Sequence, residues 1–162
     1  MSAYADTSFL LSVYVVDAHT PKALPLIRSA SFPLLATALT EFELENAIWQ
    51  YQSRRELTNS NVKACIGAFR KDLANSLFDM KPFGAEMLRR ASLISASQTP
   101  RLGTRALDVL HVASAIVLGA QDFYTFDRIQ AKLADAEGLV VRGDWTDRSH
   151  APVQVVVDRN VF

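Results

Sequence analysis

The stretch Arg105–Arg142, RALDVLHVASAIVLGAQDFYTFDRIQAKLADAEGLVVR, decides the fold. Arg105–Leu118 is an apolar helix, and Gly119 stands where a helix C-cap is needed. Asp122–Thr125 reads as a strand and Asp127–Ala136 as a short helix. After Gly138, Leu139–Arg142 reads as another strand. Strands separated by helices imply a parallel sheet with helices on both faces.

The same alternation extends upstream. Ser2–Ala5 is a short strand leading into the apolar run Phe9–Val16. Thr20-Pro21 reads as an N-cap with proline at the first helical position, opening a helix to about Ser29 that Pro25 would kink. Leu34–Thr37 is a second strand, and Leu39–Arg55 a helix with a 3.6-residue apolar period. Thr58 caps a further helix to about Leu77. Phe78–Phe83 is a third strand, which Pro82 assigns to a sheet edge. Ala85–Ser97 is helical in pattern, and Gln98–Gly103 is a loop by composition. The expectation is a mostly parallel central sheet of about five strands between helical layers.

Composition narrows the class. The 162 residues are 49% hydrophobic and 21% charged, which excludes a disordered chain and fits one domain. A domain of this size needs no disulfide, and the single Cys65 cannot form one internally. The start of the chain lacks the basic segment of a secretory signal, and no apolar run reaches the length of a membrane span. A reducing cytoplasmic setting is expected. With 17 basic and 17 acidic residues, a strongly basic nucleic-acid coat is excluded, but a local basic patch is not.

In such sheets, sites lie beyond the carboxyl ends of the strands. Asp6 follows the first strand, Glu43 sits one turn into the helix after the second, Asp108 lies in the first turn of the Arg105–Leu118 helix, and Asp127 follows the fourth strand. Taken singly, each aspartate reads as a helix cap and Glu43 as a solvated acid. Together they point to one edge. Like charges 4 Å apart would repel by about 4 kcal/mol at an effective dielectric constant near 20, so such a cluster needs protons or cations. Hard divalent ions suit carboxylate and water oxygens, which suggests a metal site for phosphoryl chemistry.

Four segments carry a family resemblance. Tyr4-Ala5-Asp6-Thr7-Ser8-Phe9-Leu10, Thr37–Leu44 with its acid at Glu43, Leu107-Asp108-Val109-Leu110-His111-Val112-Ala113, and Phe123-Tyr124-Thr125-Phe126-Asp127 resemble, in order and spacing, the motifs of the PIN domain. The chain is most similar to the ribonuclease toxins of VapBC-type toxin–antitoxin pairs, over residues 3–142. The resemblance implies a three-layer α/β/α sandwich over residues 1–142 and a metal-dependent endoribonuclease using Mg²⁺ or Mn²⁺. Its acidic quartet would be Asp6, Glu43, Asp108 and Asp127, with Asp6 and Asp108 touching the metal most directly. Ser8 and Thr125 match positions that support the quartet through hydrogen bonds. The products would carry 5′-phosphate and 3′-hydroxyl ends. The implied partners are an RNA substrate, a cognate antitoxin and a second copy of the chain, with no membrane.

Other residues are read more plainly. An acidic pocket repels phosphate, so an RNA nuclease needs cations nearby; Arg101 and Arg105 are the first candidates, Arg54 and Arg55 the next. His111 reads as packed and hydrogen-bonded, His19 and His150 as surface residues, Glu41 and Glu45 as solvated, and Cys65 as buried and inert. Trp49 is either core or an exposed anchor for a partner. Residues 143–162 depart from the family, and Val153–Val157 reads as an extra strand that extends the sheet, crosses to a second subunit or is an accretion. The competing function is a non-catalytic RNA-binding or scaffold version of the same domain. A phosphoacceptor receiver domain fits poorly, because Asp6 has no acidic neighbour and residues 138–142 contain no lysine.

Overall fold

The computed structural model describes residues 2–143 and the backbone of Gln154–Val155. The elements run β1 (Ala3–Ala5), α1 (Thr7–Tyr14), β2 (Val15–Val16), α2 (Thr20–Arg28), β3 (Leu34–Thr37), α3 (Ala38–Ser53) and α4 (Asn59–Ala74). They continue with β4 (Phe78–Lys81), α5 (Ala85–Leu102), α6 (Ala106–Val117), β5 (Asp122–Tyr124), α7 (Arg128–Ala136), β6 (Val140–Arg142) and β7 (Gln154–Val155). Five strands form one sheet in the order β4-β3-β1-β5-β6, and every pairing is parallel.

Strand alternation builds the layers. Ala3 and Ala5 of β1, Leu34 and Ala36 of β3 and Tyr124 of β5 face one core, with Phe9, Leu44, Ile48 and Phe69 from the helices on that side. Tyr4, Leu35 and Phe123 face the other core, with Ile94, Val112 and Leu133. Tyr4 stacks on Phe123 at a centroid distance of 5.8 Å. A period of two residues thus gives each central strand a partner layer on both faces. Because β1 is central, the chain moves outward from it in both directions, and the carboxyl ends of β1, β3 and β5 lie where parallel sheets of this kind place their sites.

Local readings shift in four places. α5 continues through Pro100 to Leu102, where the composition suggested a loop. Proline in the last turn forfeits one backbone hydrogen bond, while the helix keeps burying Ala91 and Ile94 against α6. It ends where Gly103 turns left-handed at φ 65° and donates to the Thr99 carbonyl at 2.9 Å. α2 begins at Thr20 rather than after it, because Asp17 does the capping: its Oδ1 accepts from the backbone N–H of His19 and Thr20. β4 is on the edge as expected but stops at Lys81, since Pro82 has no N–H for the ladder. Within the expected strand Val153–Val157, β7 pairs antiparallel with β2 in a separate two-stranded sheet. His150 and the rest of 144–162 lie outside the described residues. Among the described residues no helix is long and apolar enough to cross a membrane.

Candidate functional site

Helix α1 starts directly after β1, so Asp6 is both strand end and helix N-cap. Its Oδ1 accepts from Phe9 N at 2.8 Å, and Ser8 Oγ lies 2.9 Å from both carboxylate oxygens. Thr125 Oγ1 donates to Oδ2 at 2.7 Å across the sheet. Only 3% of Asp6 is exposed. Burial pushes its carboxyl up to about 6, although the Phe9 N–H, the field of His111 and the Thr125 and Ser8 hydroxyls all pull downward. Hydrogen bonding alone does not offset the lost hydration of this charge.

Glu43 enters from α3, in the second turn after β3. Its Oε2 takes the Thr7 hydroxyl at 2.7 Å and is also in a short hydrogen bond with His111 Nε2. Burial raises the Glu43 carboxyl, but the bond and field of His111, together with Thr7, outweigh it and hold the group below its ordinary range. His111 is itself buried, with Nδ1 2.8 Å from Tyr4 Oη; Tyr4 Oη lies 2.9 Å from Thr40 Oγ1.

Asp108 and Asp127 arrive as helix caps. Asp108 Oδ2 accepts from Arg105 N at 3.0 Å at the start of α6. Asp127 Oδ1 accepts from Ile129 N and Gln130 N at 2.8 and 2.9 Å at the start of α7. Burial raises the Asp108 carboxyl, the Arg105 N–H and guanidinium lower it, and the nearby charges of Asp127 and Glu43 raise it further. Capping occupies only one oxygen of Asp108 and one of Asp127. Asp108 Oδ1, Asp127 Oδ2 and Glu43 Oε1 accept no hydrogen bond among the described residues.

These residues suit a hard divalent ion by chemistry: all-oxygen donors, three carboxylates with a free oxygen, and an unneutralised buried acid. As they stand, no group of three or more His, Cys, Asp or Glu side chains among the described residues is placed to hold a metal ion. Protein donors fix each of the four expected acids, and the charges of Asp127 and Glu43 are felt at Asp108.

A second ring of polar residues supports them. Ser8 Oγ accepts from Phe126 N at 2.9 Å, and Thr125 Oγ1 accepts from Asp127 N at 3.0 Å. The two residues expected to support the quartet therefore tie Asp6 to the segment bearing Asp127. Thr7, Tyr4, Thr40 and Gln130 were not singled out by the motifs. Gln130 Oε1 lies 3.2 Å from Thr125 Oγ1, and its Nε2 lies 3.5 Å from the Asp108 carbonyl. Two signals existed: a tyrosine in a buried central strand must find a partner for its hydroxyl, and Gln130 follows the Asp127 cap at capping-box spacing.

The basic candidates separate. Arg105 caps α6 next to Asp108 and is exposed. Arg101 is exposed near the end of α5, where Nη1 is 3.3 Å from Gln98 Oε1. Arg54 and Arg55 follow α3, eleven and twelve residues beyond Glu43, which is about 17–18 Å along a helix. Arg54 lies over the Tyr51 ring and pairs with Glu56. Glu45, expected to be free in solvent, makes a two-point pair with Arg70 at 2.7 and 2.9 Å.

Exposed apolar side chains sit beside the acids in sequence: Phe42 before Glu43, Leu107 before Asp108, and Ile129 two residues after Asp127. Trp49, seven residues beyond Phe42 on α3, is exposed rather than core. His19 is not a plain surface residue, because its ring stacks on Phe126 at 4.7 Å. Cys65 is buried, and burial pushes its thiol up to about 11, which suits an inert role.

Comparison with known proteins gives a family and a fold. The family described as PIN domain matches residues 3–136. No curated protein matches the sequence. Among solved structures, the chain resembles VapC20 of Mycobacterium tuberculosis, described as a Sarcin-Ricin loop cleaving toxin. The two are 21% identical with a TM-score of 0.66, covering 86% of this chain and 97% of that one. It also resembles FitAcB of Neisseria gonorrhoeae, at 19% identity and a TM-score of 0.62, covering 89% and 99%.

Proposed function

The chain belongs to the PIN domain family, and on that footing we propose that it is a divalent-metal-dependent endoribonuclease, the toxin of a toxin–antitoxin pair. One observation supports this reading. Glu43, Asp108 and Asp127 each have one carboxylate oxygen tied to the protein and the other without a hydrogen bond among the described residues, and the charges of Asp127 and Glu43 act on Asp108. Stability alone does not call for this. Asp6 is buried against its own charge, and the charges of Glu43 and Asp127 oppose that of Asp108. The likeness in fold to VapC20, described as a Sarcin-Ricin loop cleaving toxin, supports an RNA substrate and, with it, an antitoxin partner.

Asp6, Glu43, Asp108 and Asp127 would hold Mg²⁺ or Mn²⁺, whose chemistry is to polarise a phosphate and make a bound water acidic. The chain's own residues do the rest. Ser8 and Thr125 keep the Asp6 carboxylate from rotating. Arg105, beside Asp108, offers the positive charge that draws an RNA phosphate past the acids. The exposed Phe42 and Trp49 on α3 give an antitoxin or a second copy an apolar face near the acids.

Expressing the chain alone in growing cells tests the reading. Growth should stop with the wild-type chain and continue with Asp6→Asn at equal expression. An Asp6→Asn chain as toxic as wild type would remove catalysis as the cause.

A further inference from the structure

Three rings stack outward from the core beside the segment that bears Asp127. Phe9, buried in α1, stacks on Phe126 at a centroid distance of 5.3 Å and an interplanar angle of 29°. Phe126, also buried, stacks on His19 at 4.7 Å and 12°. His19 is only half-buried, and Phe126 is its one ring partner among the described residues. We propose that the outer face of His19 is a stacking platform for an unpaired nucleobase of the RNA. The inference rests on the nuclease reading given above for the identity of its ligand.

The middle ring gives the column its place. Phe126 stands between Thr125, whose hydroxyl bonds Asp6, and Asp127. Its backbone N–H donates to Ser8 Oγ at 2.9 Å, and that oxygen lies 2.9 Å from both oxygens of the Asp6 carboxylate. The ring beneath His19 is thus anchored by the same residues that hold Asp6 and Asp127. A base lying on His19 brings its own backbone to the acids.

Neither capping nor hydrogen bonding calls for a histidine at position 19. It is the N-cap residue of α2, yet its side chain makes no capping bond, where Ser, Asp or Asn would. Asp17 supplies that cap instead, accepting from the backbone N–H of His19 and Thr20. Among the described residues His19 hydrogen-bonds only through its backbone. What the side chain contributes is a flat face, nearly parallel to Phe126. Every nucleobase carries a π-face, so an aromatic platform accepts a base whatever the sequence. Bases inside a duplex are already stacked and paired, and only an unpaired one reaches such a ring. The platform therefore favours loops and single strands over double-stranded RNA.

The test measures binding of a short unpaired RNA and of a duplex RNA by fluorescence anisotropy, with the full chain carrying Asp108→Asn so that the RNA stays intact. Adding His19→Leu, which still covers Phe126 but has no π-face, should weaken unpaired RNA by about five-fold or more and leave duplex RNA unchanged. Adding His19→Phe, which keeps the face and removes the nitrogens, should bind unpaired RNA within about two-fold of the parent. His19→Ser, which supplies the side-chain cap that α2 lacks, replaces the leucine arm if leucine disturbs the fold. In a scan of single abasic positions, one position should weaken the parent and not His19→Leu, which identifies the stacked base. A folded His19→Leu or His19→Ser with the parent's affinity for unpaired RNA overturns the proposal and leaves the ring as packing. Equal losses on unpaired and duplex RNA overturn it too. So does His19→Phe as weak as His19→Leu, which would assign the effect to the ring nitrogens. A chain that binds no unpaired RNA, in this form or as wild type in EDTA, removes the platform; the nuclease reading falls with it only if the wild type also fails to cut RNA.

Discussion

Replacing Asp6 with asparagine should stabilise the metal-free protein and abolish its stabilisation by metal. Burial raises the Asp6 carboxyl from an ordinary 3.8 to about 6. Between those values the folded state keeps a proton that the unfolded chain has lost. The stability this proton supplies is full below about pH 4, fades through about pH 6 and is absent above it. Near neutral pH the ionised group costs the fold about 3 kcal/mol, at 1.36 kcal/mol per unit. Asparagine carries no charge. Its Oδ1 still accepts from Phe9 N and Ser8 Oγ, and its amide N–H donates to Thr125 Oγ1, which then turns its own proton to Gln130 Oε1, 3.2 Å away. Weakening the charged hydrogen bonds takes back about 1–2 kcal/mol. The net gain near pH 7.5 is about 1–2 kcal/mol, which raises Tm by about 2–8 °C for a chain of this length. Urea titrations with EDTA, at about pH 4.5 and pH 7.5, measure it. Adding Mn²⁺ should stabilise the wild type and leave the variant unchanged. A variant less stable than wild type at both pH values, or a difference that does not change with pH, would refute the burial argument.

Other perturbations follow from the same geometry. His111→Ala leaves the Tyr4 hydroxyl and the Glu43 carboxylate without their shared partner, and chemical denaturation should show a loss of about 3 kcal/mol. Arg105→Ala should weaken RNA binding and reduce the slope of log K against log salt by about one phosphate contact, as measured by fluorescence anisotropy, without changing Mn²⁺ affinity. Gly67, exposed inside α4, and Gly103, at φ 65°, both have open space where a Cβ would go. Backbone conformation alone therefore decides the sign: Gly67→Ala should stabilise by about 0.5–1 kcal/mol and Gly103→Ala should destabilise by a similar amount in thermal melts.

The sequence carried what is local. Asp6, Asp108 and Asp127 are caps, and the cap is written in the residues immediately around it. Their place beyond strand ends follows from the alternation of short apolar strands with periodic helices. What it did not carry depends on distant partners. Gln98–Gly103 has the composition of a loop, and packing against α6 keeps all but its last residue helical. His19 gains a stacking partner, Phe126, more than a hundred residues away. The path from Thr40 through Tyr4 and His111 to Glu43 spans separations of 36, 107 and 68 residues, and it exists only because β1, α3 and α6 meet at one end of the sheet. Motifs identified the acids; they did not identify what orients them.

The central claim is that this acid cluster cleaves RNA with a divalent ion. The most direct measurement is cleavage of end-labelled RNA by the purified full chain with Mg²⁺ or Mn²⁺ and with EDTA, alongside Asp108→Asn. The account predicts internal cuts leaving 5′-phosphate and 3′-hydroxyl ends, abolished by EDTA and reduced at least about 100-fold in the folded variant. Cleavage that persists in EDTA, or that Asp108→Asn leaves intact, would contradict it.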